Sequence, residues 1–451
     1  MYRLLLTLLL ASGSAWSGTD LLAAWQAARN HDPVYQGDMA SAQAGSQKQR
    51  QAQALWLPYV GLQADAGYID MKNEVEGAQF SAPAMGSMSD ANFTTDVRNG
   101  HETRWGLMAV QPLYNAERKA NAAQLTQQSN LAVLQLRENG QQLFLRVAQR
   151  QFDVLIAEEA LSTLRAQKAA VQESLDIAKE NFKIGKSAST DMHEAQASFD
   201  AVVAQEFALQ SDLELKRALF TDLTGLPATN LARLGDQPKL ESLRPNTMQT
   251  LIDQGLTQSP RVQMSDVGKE ISSLEIDKYR AANATTVDLV AKYGQQHMEG
   301  SGNSSSTHNR TGWIGIQVNV PIFTGGMRSA KYDEAIALAE KARRDTEVSR
   351  QVVSQQIRAA YQGLTSGLEQ SKALEQGLIS AQSKLDATQT GREVGARTTS
   401  DVLNAQQAYF NVKNNLIRTR YQVLLSALAL SAASGDMNEQ RLDVINAFLV
   451  Q

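Results

Sequence analysis

Residues Val394–Tyr409 read VGARTTSDVLNAQQAY, and residues Ile184–Phe199 read IGKSASTDMHEAQASF. Laid together, the two stretches share Gly, Asp, Ala and Gln in register, with Ile/Val, Thr/Ser and Phe/Tyr exchanged at four further positions. Each interrupts a long tract without proline. Of nine prolines in 451 residues, none lies between Pro112 and Pro227 and none follows Pro321. Both tracts are rich in Ala, Gln, Leu, Glu, Lys and Arg, the strong helix formers. In the first, Leu143, Val147, Leu155, Leu161, Leu164, Val171, Leu175 and Phe182 recur at helical spacings, the stripe of an amphipathic helix or coiled coil. Val348, Val352, Ile357, Tyr361, Leu364, Leu368 and Leu378 repeat the texture in the second.

Gly185 and Gly395 are the breaks. A glycine just past a helix takes the left-handed conformation that stops it. Ser189-Thr190-Asp191 and Thr399-Ser400-Asp401 follow, hydroxyls and a carboxylate able to cap the N–H groups of a new helix. The spacing predicts two helical hairpins, with tips near 185–191 and 395–401. The incoming arms, roughly 114–184 and 327–394, would each run about 100 Å. Rods of that length suit a coiled-coil barrel or stalk, not a globular domain.

The duplication extends past the tips. Asp32-Pro33 is echoed by Ser259-Pro260, Trp105…Gln111-Pro112 by Trp313…Val320-Pro321, and Leu223-Thr224-Gly225 by Ala433-Ser434-Gly435. The chain divides into a first repeat, 18–226, a linker, 227–246, a second repeat, 247–435, and a tail, 436–451. Each repeat also holds two stretches of period two. Val60, Leu62, Ala64, Ala66 and Tyr68 alternate with Gly61, Gln63, Asp65 and Gly67; Ile314, Ile316, Val318 and Val320 alternate with Trp313, Gly315, Gln317 and Asn319. Strands are expected at about 58–72, 103–113, 286–294 and 311–322, each with one apolar face. Their lengths fit tilted membrane strands, with Tyr68, Trp105, Tyr293 and Trp313 as interfacial aromatics. The intervening 73–102 and 295–310, rich in Gly, Ser, Asn and Met, read as exposed loops. Four strands cannot close a membrane barrel, and an open edge in lipid leaves backbone groups unpaired. Several chains must therefore share one barrel.

Arg3, the apolar run Leu4–Ala11 and the small residues Ser12–Ala15 form the pattern of a secretory signal peptide over 1–17. No other stretch has the ~18 apolar residues of a membrane helix. A net charge of −4 supplies no basic field for nucleic acid, and the absence of cysteine removes disulfides, thiol catalysis and N-terminal lipidation on Cys. The five histidines, His31, His101, His193, His297 and His308, are scattered along the chain, and no metal or cofactor site is expected of them. No catalytic triad or pair of acids stands out, so no enzyme is expected. Gly325-Gly326 lacks the rest of a dinucleotide fingerprint and reads as a strand-to-helix junction.

The duplicated strand, long helix, tip and helix unit resembles the TolC-type outer-membrane factors of Gram-negative bacteria. The resemblance covers nearly all of the mature chain. It is most specific in VGARTTSDVLNAQQAYFNVKNNLIRTRYQVLL, Val394–Leu425, and in SGDMNEQRLDVINAFL from Ser434. It implies a mainly α fold with a membrane β-barrel: a homotrimer whose four strands per chain complete a twelve-strand barrel in outer-membrane lipid, above a coiled-coil periplasmic tunnel. It further implies a channel for type I protein secretion or efflux, docked to an inner-membrane ABC transporter and a membrane-fusion adaptor, passing an exported protein or small molecule. The alternatives are a drug-efflux duct, a periplasmic coiled-coil scaffold without a pore and a helical pore-forming toxin. In that family the helix tips close the tunnel. By position, Arg397 and Asp191 match a tip salt-bridge pair and Asp401 a ring aspartate. Asn404 and Arg392 depart from the pattern, standing where the family member TolC carries a second ring aspartate and a tyrosine that ties the inner coil. The resemblance implies that the second tip moves, because the first carries Ser187 opposite Arg397.

Overall fold

The computed structural model describes residues 19–84, 86–235, 237–302, 306–437 and 439–450. The expected signal peptide lies outside them. Two helices, α1 (Leu21–His31) and α2 (Pro33–Ala54), lead into β1 (Tyr59–Ala82) and β2 (Gly86–Asn115). The 68-residue α3 (Ala116–Lys183) and 36-residue α4 (Ser189–Thr224) follow. A short strand, β3 (Arg233–Leu234), precedes α5 (Met248–Gln258), α6 (Pro260–Tyr279), β4 (Thr286–Gly302) and β5 (Ser306–Asn319). The 67-residue α7 (Met327–Glu393) and 35-residue α8 (Thr399–Ala433) come next. The chain closes on α9 (Glu439–Asn446) and β6 (Leu449–Val450). Two short helices, two strands, a very long helix and a shorter one thus appear twice. Among the described residues no helix is long and apolar enough to cross a membrane.

The chain forms two compact units that cut across the repeats: Gly45–Asn130 with Val267–Arg343, and the remainder. The first is built on an antiparallel sheet of order β1-β2-β4-β5. Directly opposed residues share a face, so the register sorts the side chains. Leu62, Leu107 and Tyr293 lie in one row with Gly312, and Ala109 with Ala291 and Ile314 in the next. That face is apolar and uncovered, with Leu62 69% and Ile314 73% exposed. The opposite face carries Asp65, Arg104 and Gln296 in one row and Glu102 in the next. There Arg104 Nε sits 3.4 Å from Asp65 Oδ2, and Gln296 Nε2 donates to Glu102 Oε1 at 2.6 Å. An apolar outside and a wet inside is the polarity of a membrane barrel wall. Strands β1 and β5 end the sheet, and in hydrocarbon those edges must be paired by further copies of the chain.

The strands run further than expected. Residues 73–102 and 295–310, read as loops, are mostly ladder: β1 and β2 pair down to Ala82↔Gly86, and β4 and β5 to Glu299↔Ser306. Pairing needs only backbone N–H and C=O, which polar and glycine-rich residues supply as well as apolar ones. The period-two signal fades where both faces meet water, and the register slips at Ile69/Met71 and Val75/Ala78 blur it further. At its other end β5 stops at Asn319, short of the expected 322: Asn319 pairs with Thr286, the first residue of β4, and β4 offers nothing further to pair.

The second unit has one main core. Phe144, Phe152 and Leu155 of α3, Phe220 of α4, Ile357 and Leu364 of α7 and Leu424 and Leu428 of α8 are all under 2% exposed. The linker and tail join this core. Leu231, Ala232 and Leu240 are buried in it with Ile445, and β3 pairs with β6. Toward the tips the core thins to small clusters: Leu164, Val171 and Val202, then Leu175, Ala178 and Ala195, with Leu403 of α8 packed on both.

Candidate functional site at the helix tips

Both tips are built by the same backbone device. Gly185 (φ 73°) and Gly395 (φ 78°) are left-handed. Gly185 N–H donates to Phe182 O at 3.0 Å and Lys186 N–H to Asn181 O at 2.8 Å; Gly395 N–H donates to Arg392 O at 3.0 Å and Ala396 N–H to Gly391 O at 2.7 Å. This paired pattern is the Schellman motif, which satisfies the last carbonyls of α3 and α7. Ile184 and Val394, just before the glycines, stand 57% and 76% exposed.

The starts of the outgoing helices differ, and here the expected capping is corrected. Thr398, not the Thr399-Ser400 pair, caps α8: its hydroxyl accepts from Asp401 N–H at 3.1 Å, and Asp401 Oδ2 accepts from Thr398 N–H at 2.9 Å. This reciprocal capping box spans three residues, a spacing visible in the sequence as Thr-x-x-Asp. In α4 the same position is Ala188, whose methyl accepts nothing, so Asp191 has no box to complete. Bonding from the Thr398 backbone and then its hydroxyl, with the Arg397 charge adding, holds the Asp401 carboxyl below its usual range.

The seven residues expected at the tips therefore sort as follows. Gly185 and Gly395 form the turns. Asp401 is committed to its cap, and Asn404 is exposed one turn along α8. Arg392 lies in the last turn of α7 and Asp191 in the first turn of α4. Arg397 is exposed, its side chain lying over Gly391, where an added Cβ would come within 2.7 Å of Arg397 Cγ. Arg397 and Asp191 do not meet: among the described residues of the chain neither has an ion-pair partner within 4 Å.

Polar ties behind the tips hold the hairpins together. Lys168 Nζ and Arg165 Nε of α3 reach Glu206 of α4 at 2.8 and 3.1 Å, and those bonds, Lys168 first, lower its carboxyl pKa. Gln406 of α8, 3% exposed, donates to Ser174 Oγ at 3.3 Å and Ala170 O at 3.4 Å on α3. The sequence reading missed Thr398, Gly391 and Gln406. The histidines scattered along the chain are not all apart in space: His297 and His308 stack across β4 and β5 with ring centroids 4.1 Å apart. No group of three or more His, Cys, Asp and Glu able to hold a metal occurs among the described residues.

The family described as outer membrane efflux protein matches residues 25–226 and 251–436. The outer membrane protein TolC of Vibrio cholerae is 29% identical over 440 residues, covering 97% of this chain and 95% of that one. The alkaline protease secretion protein AprF of Pseudomonas aeruginosa is 25% identical over 434 residues, covering 95% and 87%. Among solved structures, the outer membrane protein VceC of Vibrio cholerae superposes with a TM-score of 0.71 at 16% identity, over 92% of this chain and 96% of that one. With the sheet's polarity, its two open edges and the duplicated helical hairpins already in place, the chain belongs to the outer membrane efflux protein family and forms an outer-membrane channel-tunnel for secretion or efflux.

Proposed function

We propose that this channel is the exit duct of a type I protein-secretion system, served by an inner-membrane ABC transporter and a membrane-fusion adaptor, and that it is gated at its helix tips. The two repeats, 18–226 and 247–435, would each supply one hairpin to the periplasmic entrance after removal of residues 1–17. What carries the gating reading is the electrostatic asymmetry of the tips. Asp401 is tied up in its own cap, whereas Asp191 and Arg397 are left without ion-pair partners among the described residues. In a closed trimer Arg397 of one chain would meet Asp191 of the next. The exposed Ile184 and Val394 offer an apolar foothold for the adaptor. Full-length similarity to a protein named for alkaline protease secretion supports the secretion branch. The family description as an efflux protein favours a second reading, a small-molecule duct of a tripartite pump.

The test is single-channel conductance in planar bilayers. Exposed ion pairs contribute about 0.2–1 kcal/mol each, so three released together shift the open-to-closed ratio by roughly 3- to 150-fold. Arg397→Ser removes the cation. Gly391→Ala keeps it but displaces its stem. Both should raise the open fraction, and Asp401→Asn should weaken cation selectivity. Wild-type conductance in Arg397→Ser would remove the latch. Co-purification with an ABC transporter, against a proton-driven pump, separates the two transport readings.

A further inference from the structure

His297 and His308 are directly opposed on β4 and β5. They lie on the apolar, lipid-facing side of the sheet, two rows beyond Tyr293 toward the hairpin turn. Opposed residues of this kind have Cβ atoms about 5 Å apart. The two imidazoles stack with centroids 4.1 Å apart and planes 36° from parallel. His297 Nδ1 is buried and has no hydrogen-bond partner, while His297 Nε2 faces Glu299 Oε2 at 3.6 Å. Glu299 stands two residues along on the same face.

A neutral imidazole carries one proton, and the partner of one nitrogen decides the state of the other. The Glu299 carboxylate favours the proton on Nε2. That leaves a lone pair on the buried Nδ1, turned away from solvent beside a second imidazole. A carboxylate behind one ring nitrogen, with the other free, is how proteins orient histidine toward a metal. Two imidazole nitrogens on one ion at about 2.0–2.1 Å lie roughly 3 Å apart, a separation that small side-chain rotations reach from stacked rings at this distance. We propose that His297 and His308 form a two-imidazole site for a divalent transition-metal ion of the zinc, nickel and copper class, with Glu299 as the positioning carboxylate. Water would complete the coordination shell. Imidazole selects these ions over calcium and magnesium, which take oxygen ligands. Arg310, two residues from His308 on the same face, opposes a cation, and Glu299 offsets it. His101 shares this side of the sheet, directly opposite Glu299 on β2 with its ring edge-on to Tyr68 at 6.1 Å, so the exposed His193 of α4, which has no part in the sheet, serves as the control. A bound ion would pin the β4–β5 register beside the turn, beyond the apolar band.

The experiment uses the full mature chain, stripped with chelator and assembled in detergent, titrated calorimetrically with Zn²⁺ alone and then with Ni²⁺ alone. One ion per chain is expected in wild type and in His193→Ala. His297→Ala and His308→Ala should each bind at least about tenfold more weakly, and Glu299→Gln about 10- to 100-fold more weakly. Each variant is first shown to assemble as wild type does by native gel, with the conservative His297→Gln and His308→Gln replacing any that fails. Equal binding by wild type, His297→Ala and His308→Ala, or the same loss in His193→Ala, overturns the site. Unchanged binding in Glu299→Gln overturns the role given to the carboxylate.

Discussion

Three glycines on α7 form a graded test of how closely it packs on α8. A Cβ added at Gly367 would lie 2.9 Å from Val423 Cγ2; at Gly363 it would lie 3.2 Å from Ser426 Oγ, and at Gly377 3.8 Å from Val412 Cγ1. Carbon atoms rest at about 3.5–4.0 Å, so Gly367→Ala overlaps by more than half an ångström. Val423 is 0% exposed and β-branched, with one favoured rotamer in a helix, so it cannot swing aside. Overpacking costs about 1–3 kcal/mol, while alanine recovers about 1 kcal/mol of helix propensity, leaving Gly367→Ala about 0–2 kcal/mol less stable. At Gly363 the neighbour is a hydroxyl that rotates away, and propensity roughly balances or outweighs the contact. At Gly377 the contact is ordinary and the alanine gains about 1 kcal/mol. The predicted order of stability is Gly377→Ala, Gly363→Ala, Gly367→Ala, with about 1–3 kcal/mol between the extremes. The assay is loss of helical circular dichroism on heating the detergent-solubilised protein. All variants are held at one concentration, because assembly itself stabilises by mass action. A Gly367→Ala melting point at or above that of Gly377→Ala would refute the close approach of the two helices.

Thr398→Ala removes the α8 cap and should cost about 1 kcal/mol, read as faster hydrogen exchange at residues 398–402 with the first tip unchanged; Ala188→Thr should slow exchange at 189–192 by completing a box with Asp191. The folded-state pKa of Asp401 is depressed, so its contribution to the α8 terminus is present above the ordinary aspartate range and lost as pH falls through the lower folded value. Protection at that tip, corrected for the intrinsic exchange rate at each pH, should therefore fall in acid for wild type and stay flat for Asp401→Asn. A peptide tag inserted beside Ser87, next to the β1–β2 turn and away from the helix-linked strand ends, should be reached by antibody on intact cells. Labelling only after permeabilisation would reverse the topology. Ser304, in the stretch 295–310 also read as an exposed loop, lies outside the described residues.

Features set by neighbours in sequence are legible in the sequence alone. The helices ending at Gly185 and Gly395, the period-two stretches and the duplication are local signals: a backbone conformation open to glycine, a side-chain alternation, a repeated text. The four strands of the large sheet also followed, and with them the need for partner chains, because an unpaired edge in lipid has no stable alternative. Local signals failed where both faces of an element meet the same solvent, and so the extensions of β1, β2, β4 and β5 read as loops. They failed again where the outcome turns on one atom, as with the hydroxyl of Thr398 against the methyl of Ala188. Only the tertiary structure placed Arg397 over Gly391, left it apart from Asp191, brought linker and tail into one core through β3 and β6, and stacked His297 on His308. Those relations depend on register and on packing between segments far apart in the chain. A shift of one residue in the β4–β5 ladder would send one of the two histidines to the opposite face, and no periodicity within either strand encodes which register forms.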